Sequence, residues 1–186
     1  MLPEMIQTND LELRRWNDLF VEEMIEAILF SLPELVNWMP WAQTTPSREE
    51  MGSVFAKGRS DFDAGLAWNY GLFERMTGEL VGSAGVHRED DRDCPEIGYW
   101  IRTDRIGRGY ATQAARALTQ AAFANLSDVG QLKICTDQAN LVSAAVAQKI
   151  GCHLAGVEKQ PIEAKSHTGT VCVWILRRSD QEVTIN

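Results

Sequence analysis

The amino-acid sequence predicts a mixed α/β domain, in which one β-sheet carries helices on its faces. Strand-like and helical segments alternate along the chain, with a run of three strands near the middle. Residues 111–124 form an alanine-rich helical stretch whose smooth face can lie close to a sheet. Residues 170–178 carry apolar side chains at alternating positions on both faces, which is typical of a covered strand inside a sheet.

Apolar spacing and a capping signal define the first elements. Leucines that alternate with charged residues predict a strand over residues 11–15, and apolar positions at helical spacing predict a helix over residues 18–30. Residues 32–41 contain two prolines, so we expect a short helix followed by an irregular turn. Ser47 precedes a glutamate by three residues, which is the capping-box pattern, and a second helix is expected from there to about Phe62.

The middle of the chain is rich in residues that favour strands. Residues 67–74 and 80–87 are predicted as strands joined by a Thr-Gly turn, which makes a hairpin. Residues 88–95 are polar and are expected to form a loop. Residues 96–102 are predicted as the third strand of this set, directly before the alanine-rich helix.

The second half repeats the alternation of strand and helix. A strand is predicted over residues 132–136, a helix over residues 140–150 that ends at Gly151, and a strand over residues 154–159. The covered strand over residues 170–178 comes last. The complete order is therefore β, helices, three strands, α, β, α, β, β, which indicates one sheet with helices on its faces.

Composition limits the class of function. The formal net charge of -8 argues against general binding to phosphate backbones and is compatible with a cationic substrate. No apolar run reaches the ~18 residues that a membrane span requires. The N-terminal residues lack a signal-peptide pattern, so we expect a cytoplasmic protein that binds neither nucleic acid nor membrane. The four cysteines have no CxxC spacing, which favours reduced thiols and no metal site.

Residues 96–111 hold the most informative motif. A strand-like run enters a short loop that contains Gly107, Arg108 and Gly109, and the alanine-rich helix follows at once. Such a junction directs several backbone N–H groups toward one point at the positive end of a helix, and Arg105 and Arg108 add positive charge. No Lys-Ser/Thr pair follows, so the loop predicts a site for a polyphosphate other than that of a P-loop nucleotide.

Three segments of the chain resemble the GNAT N-acetyltransferases, and in particular their RimJ/RimL branch. They are residues 96–124 with the Gly-Arg-Gly-Tyr-Ala motif, residues 140–151, and the tryptophan-rich residues 32–41. All three occur in the order and spacing of that family. The resemblance implies the GNAT acyl-CoA N-acyltransferase fold, with a single mixed, mostly antiparallel central sheet flanked by helices, in one domain that spans residues 1–186.

The same resemblance implies acetyl-CoA as the acetyl donor. Its diphosphate is expected on the backbone amides of the glycine loop, and its pantetheine arm along the preceding strand, whose amides can hold the developing oxyanion. An apolar residue at position 106 departs from the general family pattern but is frequent in this branch. The expected coenzyme-binding residues are Tyr99, Trp100, Ile101, Ile106, Gly107, Arg108, Gly109, Tyr110, Ala111, Thr112, Asn140 and Ser143.

Two residues are the candidates for proton transfer. Ser143 resembles the serine that protonates the leaving thiolate in this branch, and Asn140, three residues earlier, is also a good helix N-cap by type. The alternative for Ser143 is a small residue that packs against the coenzyme. Glu96, beside the catalytic strand, is the candidate general base that removes a proton from the ammonium of the acceptor.

The general base is the least determined part of the prediction. His87, Asp137 and Glu163 are alternatives to Glu96, and a proton relay through water needs no dedicated base. Relatives in the RimI branch use a glutamate and a tyrosine at positions that correspond to Cys135 and Ala147 here, and neither of these can do that work. This departure leaves open a module that binds coenzyme A without catalysis.

The acceptor is expected to be a primary amine in a groove walled by Trp38, Trp41 and Trp68, although core packing is the alternative for each. The resemblance suggests a protein N-terminus, as in ribosomal-protein acetyltransferases. Small amines and larger acyl groups such as succinyl are alternatives, and a phosphotransferase is disfavoured because no acidic cluster offers magnesium ligands. Glu34, Asn69 and Glu163 are candidates to receive a cationic amine. A monomer or homodimer is expected.

Overall fold

The computed structural model describes residues 1–88 and 94–182. Its strands are β1 (Met5–Gln7), β2 (Leu11–Arg15), β3 (Ala67–Glu74), β4 (Leu80–His87), β5 (Glu96–Ile101), β6 (Gln131–Asp137), β7 (His153–Lys159) and β8 (Thr170–Arg177). Its α-helices are α1 (Val21–Trp38), α2 (Arg48–Ala64), α3 (Tyr110–Asn125), α4 (Leu141–Lys149) and α5 (Arg178–Glu182). Single 3-10 turns cover Asp18–Phe20 and Thr103–Arg105.

All of these strands belong to one mixed sheet in the order β1-β2-β3-β4-β5-β6-β8-β7. Every pair of neighbours is antiparallel except β5 and β6, which are parallel. The predicted fold class, a single mostly antiparallel sheet flanked by helices, is therefore confirmed. The prediction of an interior last strand is also correct, since β8 lies between β6 and β7.

Helices cover both faces of this sheet. On one face, α1 packs against β4 and α2 packs against β3. On the other face, α3 lies across β5 and contacts α4, which packs against β6. The alanine-rich side of α3 is buried completely at Ala114, Ala115, Leu118 and Ala122, so this helix lies close to the strands that lead to the glycine loop. Close packing of this kind fixes the position of the N-terminus of α3 relative to the sheet.

The structure corrects the prediction for residues 32–41. Instead of a short separate helix, α1 continues through Pro33 to Trp38 as one helix of 18 residues. A proline inside a helix leaves the carbonyl four residues earlier without its donor. That residue is Leu29, which lies on the exposed side of α1 next to Phe30, so water can satisfy the carbonyl. Burial of the opposite side of the helix, at Ile28 and Leu35, then outweighs the cost of the proline.

Other local predictions have mixed outcomes. The capping box is present, because the Glu50 amide donates to the Ser47 hydroxyl (3.2 Å) and the Ser47 amide donates to the Glu50 carboxylate (2.8 Å). Strand β1 and the short α5 were not predicted, since three and five residues are too few to show a period. The predicted polar loop over residues 88–95 includes residues 89–93, which lie outside the described part of the chain.

Within the described residues, no helix has the length and apolar character to cross a bilayer. The same residues contain no group of three His, Cys, Asp or Glu side chains that could hold a metal ion. Cys94, Cys135, Cys152 and Cys172 form no disulfide bond.

Candidate active site

The sheet opens between β5 and β6. These parallel strands share one register pair, Glu96 with Lys133, supported by a hydrogen bond from the Lys133 amide to the Pro95 carbonyl (3.0 Å). Beyond that point β5 continues to pair with β4 up to Ile101, whereas β6 pairs with β8. A cleft of about 710 Å³ occupies the gap, and one edge of β5 therefore faces the cleft instead of a neighbouring strand.

The cleft brings most of the predicted coenzyme-arm and acceptor residues together. Tyr99, Trp100, Asn140, Ser143, Glu96, Trp38 and Trp41 all line it. Side chains alternate along β5, so Tyr99 and Ile101 pack on the side of α3 and α4, while Trp100 packs on the side of α1 and α2. The cleft thus passes through the plane of the sheet from one layer of helices to the other.

The predicted diphosphate loop lies outside the cleft lining, at the end of β5. Gly107 and Gly109 have φ angles of 77° and 80°, a conformation that favours glycine, and a Cβ atom at either position would meet no atom within 4 Å. Gly109 is the N-cap of α3 and provides no side-chain acceptor. The first backbone N–H groups of α3 therefore have no acceptor within the helix and none from the side chain of the N-cap residue. This arrangement has the chemistry that a diphosphate requires.

Charges around the loop differ from the sequence-based expectation. Arg105 donates to Asp104 (2.7 Å) and also to Glu79, so its positive charge is already compensated. Arg108 pairs with Glu74 (3.2 Å), but half of its side chain is exposed and remains accessible. The loop therefore has Arg108 as its accessible cation, and the charge expected from Arg105 is already paired.

Glu74, at the end of β3, was missed by the sequence analysis. Its carboxylate is largely buried and accepts hydrogen bonds from the Tyr110 hydroxyl and from Arg108. The bond from Tyr110 is the main reason that the pKa of Glu74 lies below its ordinary value. Because Tyr110 is the first residue of α3, this contact ties the glycine loop to the sheet. No local pattern in the sequence marks it, since 36 residues separate the two partners.

Asn140 and Ser143 are joined to β5 by Tyr99. The Asn140 side chain accepts from the Ser143 amide (3.1 Å), so Asn140 is the N-cap of α4, as its type suggested. The Tyr99 hydroxyl lies 3.0 Å from the Ser143 hydroxyl and donates to the Ser143 carbonyl (3.2 Å). Burial raises the pKa of Tyr99 to about 12, so the phenol keeps its proton at neutral pH. Two hydroxyl groups thus meet where the strands part.

Glu96 and His87 lie opposite each other on β5 and β4. The His87 Nε2 atom is 2.7 Å from the side-chain oxygen of Asn69, and all three residues line the cleft. Cys135 on β6 also faces this group. Burial, followed by the nearby Glu96 carboxylate, raises the pKa of the Cys135 thiol to about 12. The cleft therefore holds an acidic and an imidazole group side by side at the start of the gap.

The other candidates for the general base are less suitably placed. Asp137 is buried and accepts from the amides of Ala139 (2.9 Å) and Thr168 (2.7 Å). Burial opposes its ionisation, but these hydrogen bonds prevail and its pKa is lowered, so the carboxylate is a weak base that already has partners. Glu163 is exposed outside the cleft lining. Glu34, predicted only to receive a cationic amine, accepts from the Thr103 hydroxyl (3.2 Å) and also does not line the cleft.

The structure places two of the three predicted wall tryptophans in the cleft lining and the third in the core. Trp38 and Trp41 line the cleft, whereas Trp68 is only 1% exposed and packs in the core beneath the sheet. The prediction that Trp68 walls the groove is therefore corrected: in β3 its side chain points to the face opposite Asn69, which does line the cleft. Trp16 and Trp100 complete the aromatic lining and were missed as acceptor-side residues. Alternation along β5 could have identified Trp100.

A loop between β7 and β8 closes one side of the cleft. The amides of Lys165 and Ser166 donate to the carbonyls of Val36 (3.2 Å) and Asn37 (3.0 Å) at the end of α1. The His167 Nε2 atom is 3.1 Å from the Trp38 carbonyl. These contacts join the end of α1, which carries Trp38, to the loop, although residues 37 and 166 are distant in sequence.

A sheet that parts beside an uncapped glycine loop and a helix N-terminus defines a protein of the acyl-CoA N-acyltransferase class. A family model for the acetyltransferase (GNAT) domain matches residues 10–153. The chain belongs to this GNAT acetyltransferase family, as the resemblance indicated.

The chain is also similar to two Bacillus subtilis proteins and to a solved structure. The chain is 30% identical over 138 residues to the "Putative ribosomal N-acetyltransferase YdaF" of Bacillus subtilis (strain 168), covering 70% of each protein. It is 35% identical over 82 residues to the "Uncharacterized protein YkkB" of the same strain, a match that spans 43% of this chain and 47% of YkkB. The solved structure of RimL, a ribosomal L7/L12 alpha-N-protein acetyltransferase in complex with coenzyme A, has a TM-score of 0.85 at 24% identity, with 94% of this chain and 98% of that one covered.

Proposed function

We propose that this protein transfers the acetyl group of acetyl-CoA to a primary amine by direct attack in a ternary complex, with residues 1–186 acting as one domain. The observation that carries the proposal is the parted sheet with the uncapped glycine loop at the end of β5. The gap in the sheet can accept an extended polar arm, and the glycine loop can accept a diphosphate. The two features are adjacent along the chain. Coenzyme A has both chemical groups, and a nucleotide alone lacks the arm.

In this proposal the diphosphate lies on the amides of residues 106–112, with Arg108 as the accessible cation. The pantetheine arm runs along the edge of β5 that faces the cleft, at Tyr99–Ile101, and beside Asn140. The thioester then lies in the gap between β5 and β6. A backbone N–H of β5 can donate to the thioester oxygen as negative charge develops there, which is the most effective use of a fixed donor.

Ser143 is the proposed donor of a proton to the leaving thiolate. The Tyr99 hydroxyl, 3.0 Å from the Ser143 oxygen, holds that group in place, and its proton can turn from the Ser143 carbonyl to the serine oxygen as the serine proton leaves. Solvent then returns a proton to Tyr99, which balances the proton that the amine loses. A thiolate with a pKa near that of an ordinary thiol, about 8.5, needs only a weak acid. Two neutral hydroxyl groups are sufficient for this step, even though position 147 carries an alanine.

Glu96 is the proposed general base for the amine. It lies in the cleft where β5 and β6 still pair, next to the gap that receives the thioester. His87, directly opposite on β4, is the second candidate, with a proton relay through water as the third. An ammonium must lose a proton before it can attack, so one of these routes has to operate.

The proposed acceptor is the amine at a protein N-terminus, an acceptor class that the names of YdaF and RimL support. The cleft is accessible to such a chain, because Trp41 and Val54 at its mouth are about half exposed. A small amine, or transfer of a larger acyl group, remains the alternative. Action in the cytoplasm, as a monomer or homodimer, stays a prediction.

The test is an assay of coenzyme binding and thiol release in one preparation. The protein is incubated with acetyl-CoA and a panel of N-terminal peptides and small amines, while calorimetry measures affinity and a thiol reagent measures free coenzyme A. We expect micromolar binding and amine-dependent thiol release. Binding without thiol release would support the non-catalytic module instead, and tighter binding of ATP than of acetyl-CoA would overturn the assignment of the loop.

A further inference from the structure

The cleft has a second half, on the side of α1 and α2, that the coenzyme arm does not use. We infer that this half takes a primary amine carried on a large apolar group, such as a peptide N-terminus whose first side chain is aromatic or bulky and aliphatic. The inference rests on the proposed acetyl transfer and adds to it the chemical class of the acceptor.

The walls of this half are strongly apolar. Four tryptophans and three methionines line it, and they come from four parts of the chain that only the fold brings together. They are Trp16, Trp38, Trp41, Trp100, Met24, Met39 and Met51. Trp41 and Trp100 contact each other at a centroid distance of 6.2 Å, which makes one continuous aromatic wall. Rigid indole rings offer a large contact area at low entropic cost, and methionines adapt to the shape of an apolar guest.

The mouth of this half exposes apolar surface. Trp41 is 52% exposed and Val54 is 47% exposed, and both line the cleft. A contiguous apolar surface around a concave site marks a place where another molecule binds. A hydrophilic acceptor would gain nothing from covering these side chains, whereas a large apolar group would remove them from water.

Small residues on the strands leave room for the polar side chains at the inner end of this half. Ser83, Gly85 and Gly98 line the floor of the cleft on β4 and β5. A Cβ atom at Gly85 would lie 2.7 Å from the Asn69 side-chain oxygen and 2.8 Å from His87 Nε2. The glycine therefore permits the polar side chains to lie flat over the strand, and a larger residue there would displace them.

Polar groups are concentrated at the inner end of this half. Glu96, His87 and Asn69 lie together beside the gap between β5 and β6, where the thioester is proposed to lie. Of the other carboxylates that line the cleft, Glu50 is held by its capping box and Asp137 by the amides of Ala139 and Thr168. An amine with an apolar substituent matches this division: the nitrogen meets the polar end and the substituent meets the indoles.

Indole rings also attract cations, so a polycationic acceptor is the main rival. The two acceptors differ in a measurable way. A cationic guest would favour spermidine or a lysine-rich peptide, whereas an apolar guest would favour a phenylalanine at the first position of a neutral peptide.

The experiment compares kcat/KM for two peptides that differ only in the first residue, Phe or Ser, and contain no lysine. 2-Phenylethylamine, ethanolamine and spermidine are the small-molecule arms. We expect the Phe peptide to exceed the Ser peptide by about tenfold or more, the range that a hydrophobic pocket provides. A preference for 2-phenylethylamine over ethanolamine would show the same apolar selectivity for a small amine. Whichever of the Phe peptide and 2-phenylethylamine has the higher kcat/KM indicates whether the acceptor is a peptide or a small amine.

Two variants test whether the aromatic mouth is responsible. Trp41→Ala and Val54→Asp are expected to lower kcat/KM for the Phe peptide by about tenfold and for the Ser peptide by about twofold or less. Leu19→Ala, at an exposed position outside the cleft, is the matched control and should change neither value. Both positions are half exposed, so each variant is expected to fold, and unchanged affinity for acetyl-CoA in calorimetry verifies this.

Each outcome bears on the inference. Equal or better use of the Ser peptide, a clear preference for spermidine, or an unchanged preference in both variants would overturn it while leaving acetyl transfer intact. Absence of turnover with every amine would overturn the proposed function as well.

Discussion

At the scale of single residues, the contact between Tyr99 and Ser143 is the feature with the most direct chemical consequence. It joins a strand that borders the gap to a helix on the far side of it, and both residues are partly buried. A hydroxyl that is held by a neighbour loses less entropy when it donates a proton than one that rotates freely.

Tyr99→Phe tests this contact. The phenyl ring keeps its packing but leaves Ser143 without its partner, so we expect kcat to fall by about tenfold, equivalent to about 1.4 kcal/mol in the barrier. The affinity for acetyl-CoA should stay within about twofold, because the proposed arm contacts are to backbone groups. Steady-state kinetics and calorimetry measure the two quantities.

Ser143→Ala and the double variant complete the cycle. If the two hydroxyl groups act together, the loss in the double variant is much smaller than the product of the single losses. Fully multiplicative losses would mean that Tyr99 has no role in proton transfer to the thiolate.

At the scale of elements, the glycine loop and the N-terminus of α3 form the unit on which coenzyme binding depends. Gly109→Trp is expected to weaken acetyl-CoA binding by at least about a hundredfold, since an indole at this open position fills the space before the uncapped amides. Isothermal titration with acetyl-CoA measures the change.

The same substitution at Gly78 is a matched control. Gly78 has a φ angle of 73° and an equally open surrounding, but it lies in the turn between β3 and β4 and does not line the cleft. Gly78→Trp therefore carries the same backbone strain and should bind acetyl-CoA normally. Equal losses in both variants would contradict the proposed position of the diphosphate.

The sequence contained enough information to predict the elements that bury one periodic face. Helix α3 shows this, because its alanine-rich face is buried along its length. For α4 the information was local, since Asn140 is its N-cap and Gly151 follows its end. The continuation of α1 through Pro33 was not predictable in this way. It depends on the exposure of Leu29, whose carbonyl loses its donor to the proline, and that exposure is set by tertiary packing. The placement of Trp68 failed for a similar reason: composition alone does not distinguish a groove wall from a core side chain.

Predictions for the site show the same limit. A local motif identified the glycine loop, whereas the links from Glu74 to Tyr110 and from Tyr99 to Ser143 join residues 36 and 44 positions apart. Compensation of Arg105 by Glu79 also depends on a contact between separate elements. Tertiary packing decides which charged side chains remain unpaired and able to bind a ligand. A short segment of sequence does not contain that information.

At the scale of the whole molecule, all three tyrosines stabilise the fold in their neutral form. Burial raises the pKa of Tyr70, of Tyr99 (to about 12) and of Tyr110 above the ordinary value of 10.0. A group whose pKa is raised in the folded state contributes fully below its unfolded pKa, and the contribution is lost as pH rises above it.

The free energy of unfolding is therefore expected to fall steeply above about pH 10. Each buried tyrosine contributes a slope of up to about 1.4 kcal/mol per pH unit. Urea unfolding between pH 8 and 11 measures this decline, and tyrosinate absorbance should appear together with unfolding. Tyr99→Phe should reduce the slope. Tyrosinate absorbance that develops while the protein remains folded would contradict the expected burial.

The parting of β5 from β6 gives the molecule a seam in the middle of its sheet. Sheets usually expose unpaired backbone groups only at their outer margins, where a further strand can be added. In this protein the vacant place is internal, and a bound coenzyme would serve as a short non-protein strand that bridges the two halves. We therefore expect the bound ligand to stabilise the fold. In its presence the two parts of the sheet on either side of the gap should unfold in one transition, with a higher Tm than in its absence.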